Sequence, residues 1–177
     1  DFGGAVKLIG WASRKRDKAA VMVCPAFISN NSQLSSVNDV FNAILVRGDA
    51  TGDVVFYGKG AGKLPTASAV VSDIIIAAKM NDNSKSLHWE DSEKGFAVDY
   101  KTLENKFYVR LICKDKNKAL HTAKKMWGNL LVLHRDGELA DEAAFITNKV
   151  IESQFEQDCL NLAEFAEIKG KIRVLDY

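Results

Sequence analysis

Six consecutive residues, Gly58-Lys59-Gly60-Ala61-Gly62-Lys63, have the types and spacing that most directly suggest chemistry, because glycine-rich turns can bring backbone N–H groups against a phosphate or a flat cofactor. The spacing decides which cofactor grip is available. A P-loop needs four residues between its glycines and Ser or Thr after the lysine; here three residues separate Gly58 from Gly62, and Leu64 follows Lys63. The Rossmann fingerprint needs two residues before its third glycine, whereas one separates Gly60 from Gly62. The cluster is therefore no self-sufficient dinucleotide site. What remains is a strand that ends in small residues and turns into a helix, with Pro65 in the first turn where a missing N–H costs nothing. Two origins stay open on spacing alone: a tight strand-to-helix turn, which is the commoner one, or a surface where a ligand approaches backbone and the positive end of a helix.

The other reactive side chains form no constellation. His88, His121 and His134 have no close His or Cys partner, so no metal site is expected. Cys24, Cys113 and Cys159 are odd in number and widely spaced, which suits reduced thiols packed in a core and a cytoplasmic setting. Asp49 reads as a turn residue and Asp73 as a helix-surface residue, and no catalytic residue is assigned. With 24 Lys+Arg against 23 Asp+Glu the net charge is +1, so nothing in the charge would draw nucleic acid or an anionic membrane. Trp11, Trp89 and Trp127 read as packing residues, since no basic strip accompanies them as a base-stacking platform would require. The most apolar helical stretch, 67–78, is too short to span a bilayer of about 30 Å and is expected to be a buried helix.

Four strands are expected at Ala5–Ala12, Ala19–Ile28, Val40–Val46 and Asp53–Tyr57, runs rich in β-branched residues separated by the turn-prone 14–18, 29–36 and 48–52. A crossover helix follows, with Ala67, Val70, Val71, Ile74 and Ala78 on one face. Composition then shifts to polar residues over 81–103, the expected linker, although Leu87-His88-Trp89 and Phe96-Ala97-Val98 are apolar enough to pack on a neighbour. Beyond it the pattern is βαββαβ: a strand at Lys106–Cys113, a helix through Leu120, Ala123 and Trp127 ended by Gly128, and a strand at Leu130–Leu133. Asp136-Gly137 is expected as a type I′ turn into a strand at Ala143–Thr147, then a helix lined by Ile151, Phe155, Cys159, Leu162 and Ala166 with Gly170 after its end, and a last strand at Lys171–Leu175. That order suits a four-stranded antiparallel sheet with both helices on one face, the ferredoxin-like arrangement. The chain begins at Asp1 without a methionine or a signal-like region and its first residues read as the middle of a fold, so a piece of a longer protein is expected.

Val6-Lys7-Leu8-Ile9-Gly10, Pro25 through Ile28, Leu34-Ser35-Ser36-Val37, Phe41-Asn42-Ala43-Ile44 with Gly48-Asp49, and above all the run from Phe56 to Asp73 resemble the homoserine dehydrogenase family. The resemblance implies an α+β fold in three parts: residues 1–80 as the C-terminal part of the catalytic domain, a partial sheet with its crossover helix; 81–103 as linker; and 104–177 as a ferredoxin-like ACT-type regulatory or dimerisation domain. It implies a parent enzyme that interconverts L-aspartate 4-semialdehyde and L-homoserine with NADP or NAD, on the route to threonine, methionine and isoleucine. Gly60, Ala61, Gly62 and Thr66 would lie against that cofactor near its nicotinamide end. The family's catalytic lysine, its acidic substrate-binding residues and its Rossmann domain would precede Asp1. The fragment itself is therefore expected to be inactive and to hold no cofactor.

ACT domains typically carry an Asp-x-Pro-Gly turn where an amino-acid effector approaches the backbone. The matching segment here has Asp115, then Asn117 in place of proline and Lys118 in place of glycine, which favours a domain that only pairs with its twin in a homodimer. The rival reading is a stand-alone amino-acid-sensing ACT module whose first half is a scaffold. A glycine loop at a helix start serves no purpose in a scaffold, which favours the dehydrogenase.

Overall fold

The computed structural model describes residues 3–80 and 90–175. The chain divides into two compact units, residues 1–35 with 93–177 and residues 36–92.

The first unit is built on one sheet. β1 (Gly4–Lys15) and β2 (Lys18–Ser29) form a long antiparallel hairpin with an unbroken register from Gly4↔Ser29 to Lys15↔Lys18. Alternation sends Met22, Cys24, Ala26 and Ile28 to a buried face, where Ile9, Trp11, Leu34 and Leu175 pack on them. Val6, Leu8, Val21 and Val23 emerge on the opposite face, all exposed. The two turn residues are Arg16 and Asp17, and Arg16 has φ 51, a left-handed conformation that strains any residue with a Cβ. Arg16→Gly is accordingly expected to stabilise the chain by about 0.5–1 kcal/mol net of glycine's extra unfolded-state entropy. A urea melt would show this as a higher midpoint at unchanged slope.

The sheet continues through β9 (Ala166–Val174), which runs parallel to β2 at Ala26↔Arg173 and Phe27↔Val174, and then antiparallel through β5 (Glu104–Cys113), β7 (Glu142–Ile146) and β6 (Leu131–Leu133). The two-residue strand β8 (Val150–Ile151) pairs with the start of β5. Odd-numbered residues of β5, Phe107, Val109, Leu111 and Cys113, face the core with Phe145 of β7. Two helices close it: α2 (Lys116–Trp127) through Ala119, Ala123 and Trp127, and α3 (Glu152–Leu162) through Phe155, Cys159 and Leu162. Phe155 lies flat on Phe107, with ring centroids 3.7 Å apart, and the tilted Trp127 ring lies 5.2 Å from Phe155. All three cysteines are buried, as expected of packing thiols.

Asp115 caps α2, its carboxylate accepting the Lys118 N–H at 3.0 Å, and Gly128 at φ 74 ends it. Residues 96–98 lie along β2, with Ala19 N–H donating to Phe96 C=O at 2.8 Å and Val98 N–H to Ala19 C=O at 2.9 Å; Leu87-His88-Trp89 falls outside the described residues.

Two local expectations are corrected. The type I′ hairpin at Asp136-Gly137 does not form: Gly137 has φ 70 but Asp136 does not share a positive φ, and eight residues, 134–141, separate β6 from β7. That loop is tied instead to Glu142, described below. The last helix is shorter than its apolar spacing suggested, because Ile151 is the end of β8 and Ala166 the start of β9. Gly170 consequently sits inside that strand, beside the register shift at Arg110/Leu111, rather than after a helix. Lys118 lies in the first turn of α2, where its N–H donates to the capping Asp115.

The second unit holds the hairpin of β3 (Phe41–Gly48) and β4 (Gly52–Lys59) and the helix α1 (Lys63–Lys79). Arg47 and Asp53 close the hairpin end with two contacts of 2.6 and 2.7 Å. The expected burial of the helix is overturned, since α1 has no buried residue and Val70, Val71, Ile74 and Ile75 are all exposed. Its apolar positions are too many for one stripe, so no narrow face marks a single packing partner.

Candidate functional site

The glycine cluster lies where β4 hands the chain to α1. The hairpin register places Phe41 opposite Lys59 and Asn42 opposite Gly58, which fixes the level at which the loop leaves the ribbon. The loop is then pinned by its own backbone: the N–H groups of Gly60 and Ala61 both donate to Val40 C=O, at 3.1 and 3.5 Å. Gly62 is the N-cap of α1, at φ 122 and ψ 149, a region that side-chain-bearing residues avoid. Its C=O accepts the Thr66 N–H at 3.1 Å and starts the helix. No side chain caps this end, and no acidic residue occupies the first turn. The leading N–H groups and the positive dipole end are thus left to solvent or to an anionic group.

Gly60, Ala61, Gly62 and Thr66 are brought together on this one turn, and all four are exposed, as is Lys63. Two of the three glycines have a local reason. At Gly58 an added Cβ would meet nothing within 4 Å. At Gly62 the backbone conformation requires glycine, and the Cβ would stand 3.4 Å from Pro65. At Gly60 the Cβ would lie 1.9 Å from the Asn42 side-chain nitrogen, so a neighbour's carboxamide fills the space that the missing side chain leaves. Asn42 was not singled out from the sequence as a site residue. The signal existed: a hairpin turning through Gly48–Gly52 sets Asn42 across from Gly58 by counting back along both strands. Among the described residues the turn carries no side chain of its own at Gly58, Gly60 and Gly62, and it ends at an uncapped helix start.

Other polar clusters in the first unit are already satisfied. Glu142, 3% exposed at its side chain, takes contacts from Arg135 at 2.7 and 3.1 Å and from Arg110 at 2.8 Å. The Arg135 hydrogen bond first, and Arg110 second, hold its carboxyl at about 2 against an ordinary 4.5, more than offsetting the cost of burial. A carboxyl depressed on folding stabilises above its unfolded pKa and loses that contribution as pH falls toward the folded one. Stability of the chain should therefore decline from about pH 4.5 down toward pH 2. Acid titrations followed by circular dichroism should show a shallower decline in Glu142→Gln. Asp158, buried, accepts from the Trp127 indole N–H and the Gln154 amide, both at 2.9 Å, which explains how a tryptophan ring nitrogen is tolerated in that core.

A cavity of about 140 Å3 opens between α3 and β9, lined by Phe107, Phe155, Glu156, Lys171 and Arg173 among others. Its charges are largely matched: Arg173 pairs with Glu152, and Glu156 with Lys101 at 3.3 Å. Among the described residues no group of three or more His, Cys, Asp or Glu is placed to hold a metal, and no helix is long and apolar enough to cross a membrane.

Comparison with known proteins adds the family. Residues 1–75 match the family model for homoserine dehydrogenase. The chain is similar to a homoserine dehydrogenase of Helicobacter pylori, 40% identical over 116 residues that cover 66% of this chain and 27% of that protein. A homoserine dehydrogenase of Synechocystis is 31% identical over 98% of this chain and 45% of its own length. Among solved structures, Staphylococcus aureus homoserine dehydrogenase at pH 6.0 superposes with a TM-score of 0.68 at 30% identity, over 98% of this chain and 42% of that one. The homoserine dehydrogenase of Thiobacillus denitrificans shares the fold at a TM-score of 0.77 and 23% identity, over 98% of this chain and 43% of its own. The chain thus spans less than half the length of each of these proteins.

Proposed function

Because residues 1–75 belong to the homoserine dehydrogenase family, we propose that this chain is the C-terminal portion of an enzyme that interconverts L-aspartate 4-semialdehyde and L-homoserine with NADP or NAD. The single observation that carries the reading is the bare turn of Gly60, Ala61, Gly62 and Thr66, exposed at an uncapped helix start inside the matched segment.

In that role the nicotinamide supplies or accepts the hydride. This chain's share is positional. The Val40 carbonyl, by accepting two N–H groups, holds the turn rigid, and the open space beside Gly58 would let a flat ring lie close to the backbone. The uncapped end of α1 favours whatever negative charge lies nearest to it. In this reading the acid–base group and the remaining coenzyme contacts come from the rest of the enzyme, as the family resemblance implies.

The second half serves, in this reading, as an ACT-like dimerising domain of a cytoplasmic enzyme. The exposed Val6, Leu8, Val21 and Val23, which lie on the β1–β2 hairpin of the first half rather than in that domain, give the sheet a broad apolar face that suits a second copy. Light scattering of the purified chain should give a homodimer, and a monomer would remove that assignment.

The function is tested by assaying the intact polypeptide for NADPH- or NADH-dependent reduction of L-aspartate 4-semialdehyde, with the isolated chain in parallel. Turnover by the intact protein and none by the isolated chain is expected. Absence of turnover in the intact protein, with a calorimetric response to an amino acid, would favour the sensing module instead.

A further inference from the structure

We propose that Asn42 orients the nicotinamide carboxamide on the glycine ledge; the inference rests on the coenzyme reading above and adds a residue to it. Asn42 stands opposite Gly58 in the β3–β4 register, so its side chain leaves the ribbon on the face that carries Gly58 and continues to Gly60. On that face its neighbours along the strands are the exposed Ile44 and Phe56.

The carboxamide lies against the Cα of Gly60, since a Cβ there would stand 1.9 Å from its nitrogen and 2.8 Å from its Cγ. Packing against glycine, and no hydrogen bond to a described residue, holds it there. Among the described residues nothing takes up its N–H donors or its carbonyl acceptor, and it stands at the rim of a patch where Gly58 leaves open space. A carboxamide that can donate and accept at once is matched by another carboxamide, and the nicotinamide ring bears one. The substrate's carboxylate only accepts and its ammonium only donates, so neither group by itself answers both ends of the Asn42 carboxamide as another carboxamide does. The geometry therefore gives Gly60 its own role: it makes room for the Asn42 side chain that reads the ring's substituent, while Gly58 leaves the space for the ring.

The test uses the intact enzyme and coenzyme binding rather than turnover alone. Asn42→Ala, a change at an exposed strand position, is expected to raise the dissociation constant of NADPH about tenfold, the worth of one or two hydrogen bonds, while leaving the KM for the aldehyde nearly unchanged. The specific readout is the 3-acetylpyridine analogue, which keeps the carbonyl and lacks the amide N–H. Wild type should bind it more weakly than the natural coenzyme, and Asn42→Ala should bind the two alike. Retained discrimination in Asn42→Ala would overturn the assignment, as would a rise confined to the aldehyde KM, which would place Asn42 on the substrate. In the isolated chain, Gly60→Ala should be destabilising and Asn42→Ala should relieve most of that cost in the double variant. If it does not, the contact between the two residues is not the reason for glycine at 60. An intact wild type that reduces no aldehyde defeats the functional reading itself, whereas an active wild type with unchanged Asn42→Ala defeats only this inference.

Discussion

Glu152→Ala should destabilise the chain by about 3–5 kcal/mol, the usual cost of breaking a buried ion pair from one side. Glu152 is 2% exposed and opens α3. Its two carboxylate oxygens are divided among the Arg173 guanidinium, which contacts both, and the Asn105 amide at 3.2 Å. Removing the carboxylate leaves Arg173, only 21% exposed at its side chain, between the sheet and the Tyr100 ring without a counter-charge. The helix also loses the one acidic residue at its positive end. Glu152→Gln retains an acceptor for part of the network and should cost about 1–3 kcal/mol. Urea unfolding of the purified chain distinguishes the two. A shift below about 1 kcal/mol in Glu152→Ala would mean that Arg173 swings out to water and that the pair is not a buried one.

Gly62→Val should lower kcat/KM of the intact enzyme at least about 100-fold, because small displacements of a positioned coenzyme are costly. At φ 122 and ψ 149 any Cβ forces the turn to rebuild, at a local cost of about 1–3 kcal/mol. The whole ledge moves with it, because the first helical hydrogen bond, from Thr66 N–H, ends on the Gly62 carbonyl. The loss should appear chiefly as weaker coenzyme binding, measurable by NADPH fluorescence, with the melting temperature lowered only modestly. Wild-type coenzyme affinity in Gly62→Val would show that this turn does not face the coenzyme.

Much of the local structure was legible in the residues. The four N-terminal strands, the helix begun around Pro65, the α2 face of Ala123 and Trp127, and the strand at 106–113 follow from alternation, helical spacing and turn chemistry. The misplaced features share a cause. Asp136-Gly137 has the composition of a two-residue hairpin, but Glu142 is clamped by Arg135 and Arg110, seven and thirty-two residues away, and the long loop folds around that clamp. Ile151 and Ala166 continue the helical period of α3, yet each is drawn into a strand, where pairing with β5 outweighs one more helical turn.

The candidate site was half visible. Gly60, Ala61, Gly62 and Thr66 could be named because their types and their resemblance to the family are contiguous in the chain. Asn42 was missed because its relation to Gly60 spans eighteen residues and has to be counted through a hairpin register rather than read along the chain.

The sequence by itself determined where most of the strands and helices lie, that the glycine cluster starts a helix rather than a P-loop or a Rossmann turn, and that the first 75 residues match the homoserine dehydrogenase family model. Only the tertiary structure decided that β2 runs beside β9, so that one sheet draws strands from both ends of the chain; that α1 is left uncovered; and that a carboxamide occupies the space beside Gly60. The division follows from the reach of the forces. Backbone preference and side-chain period act over a few neighbouring residues and are written locally, whereas pairing, burial and close approach depend on residues that only folding brings together.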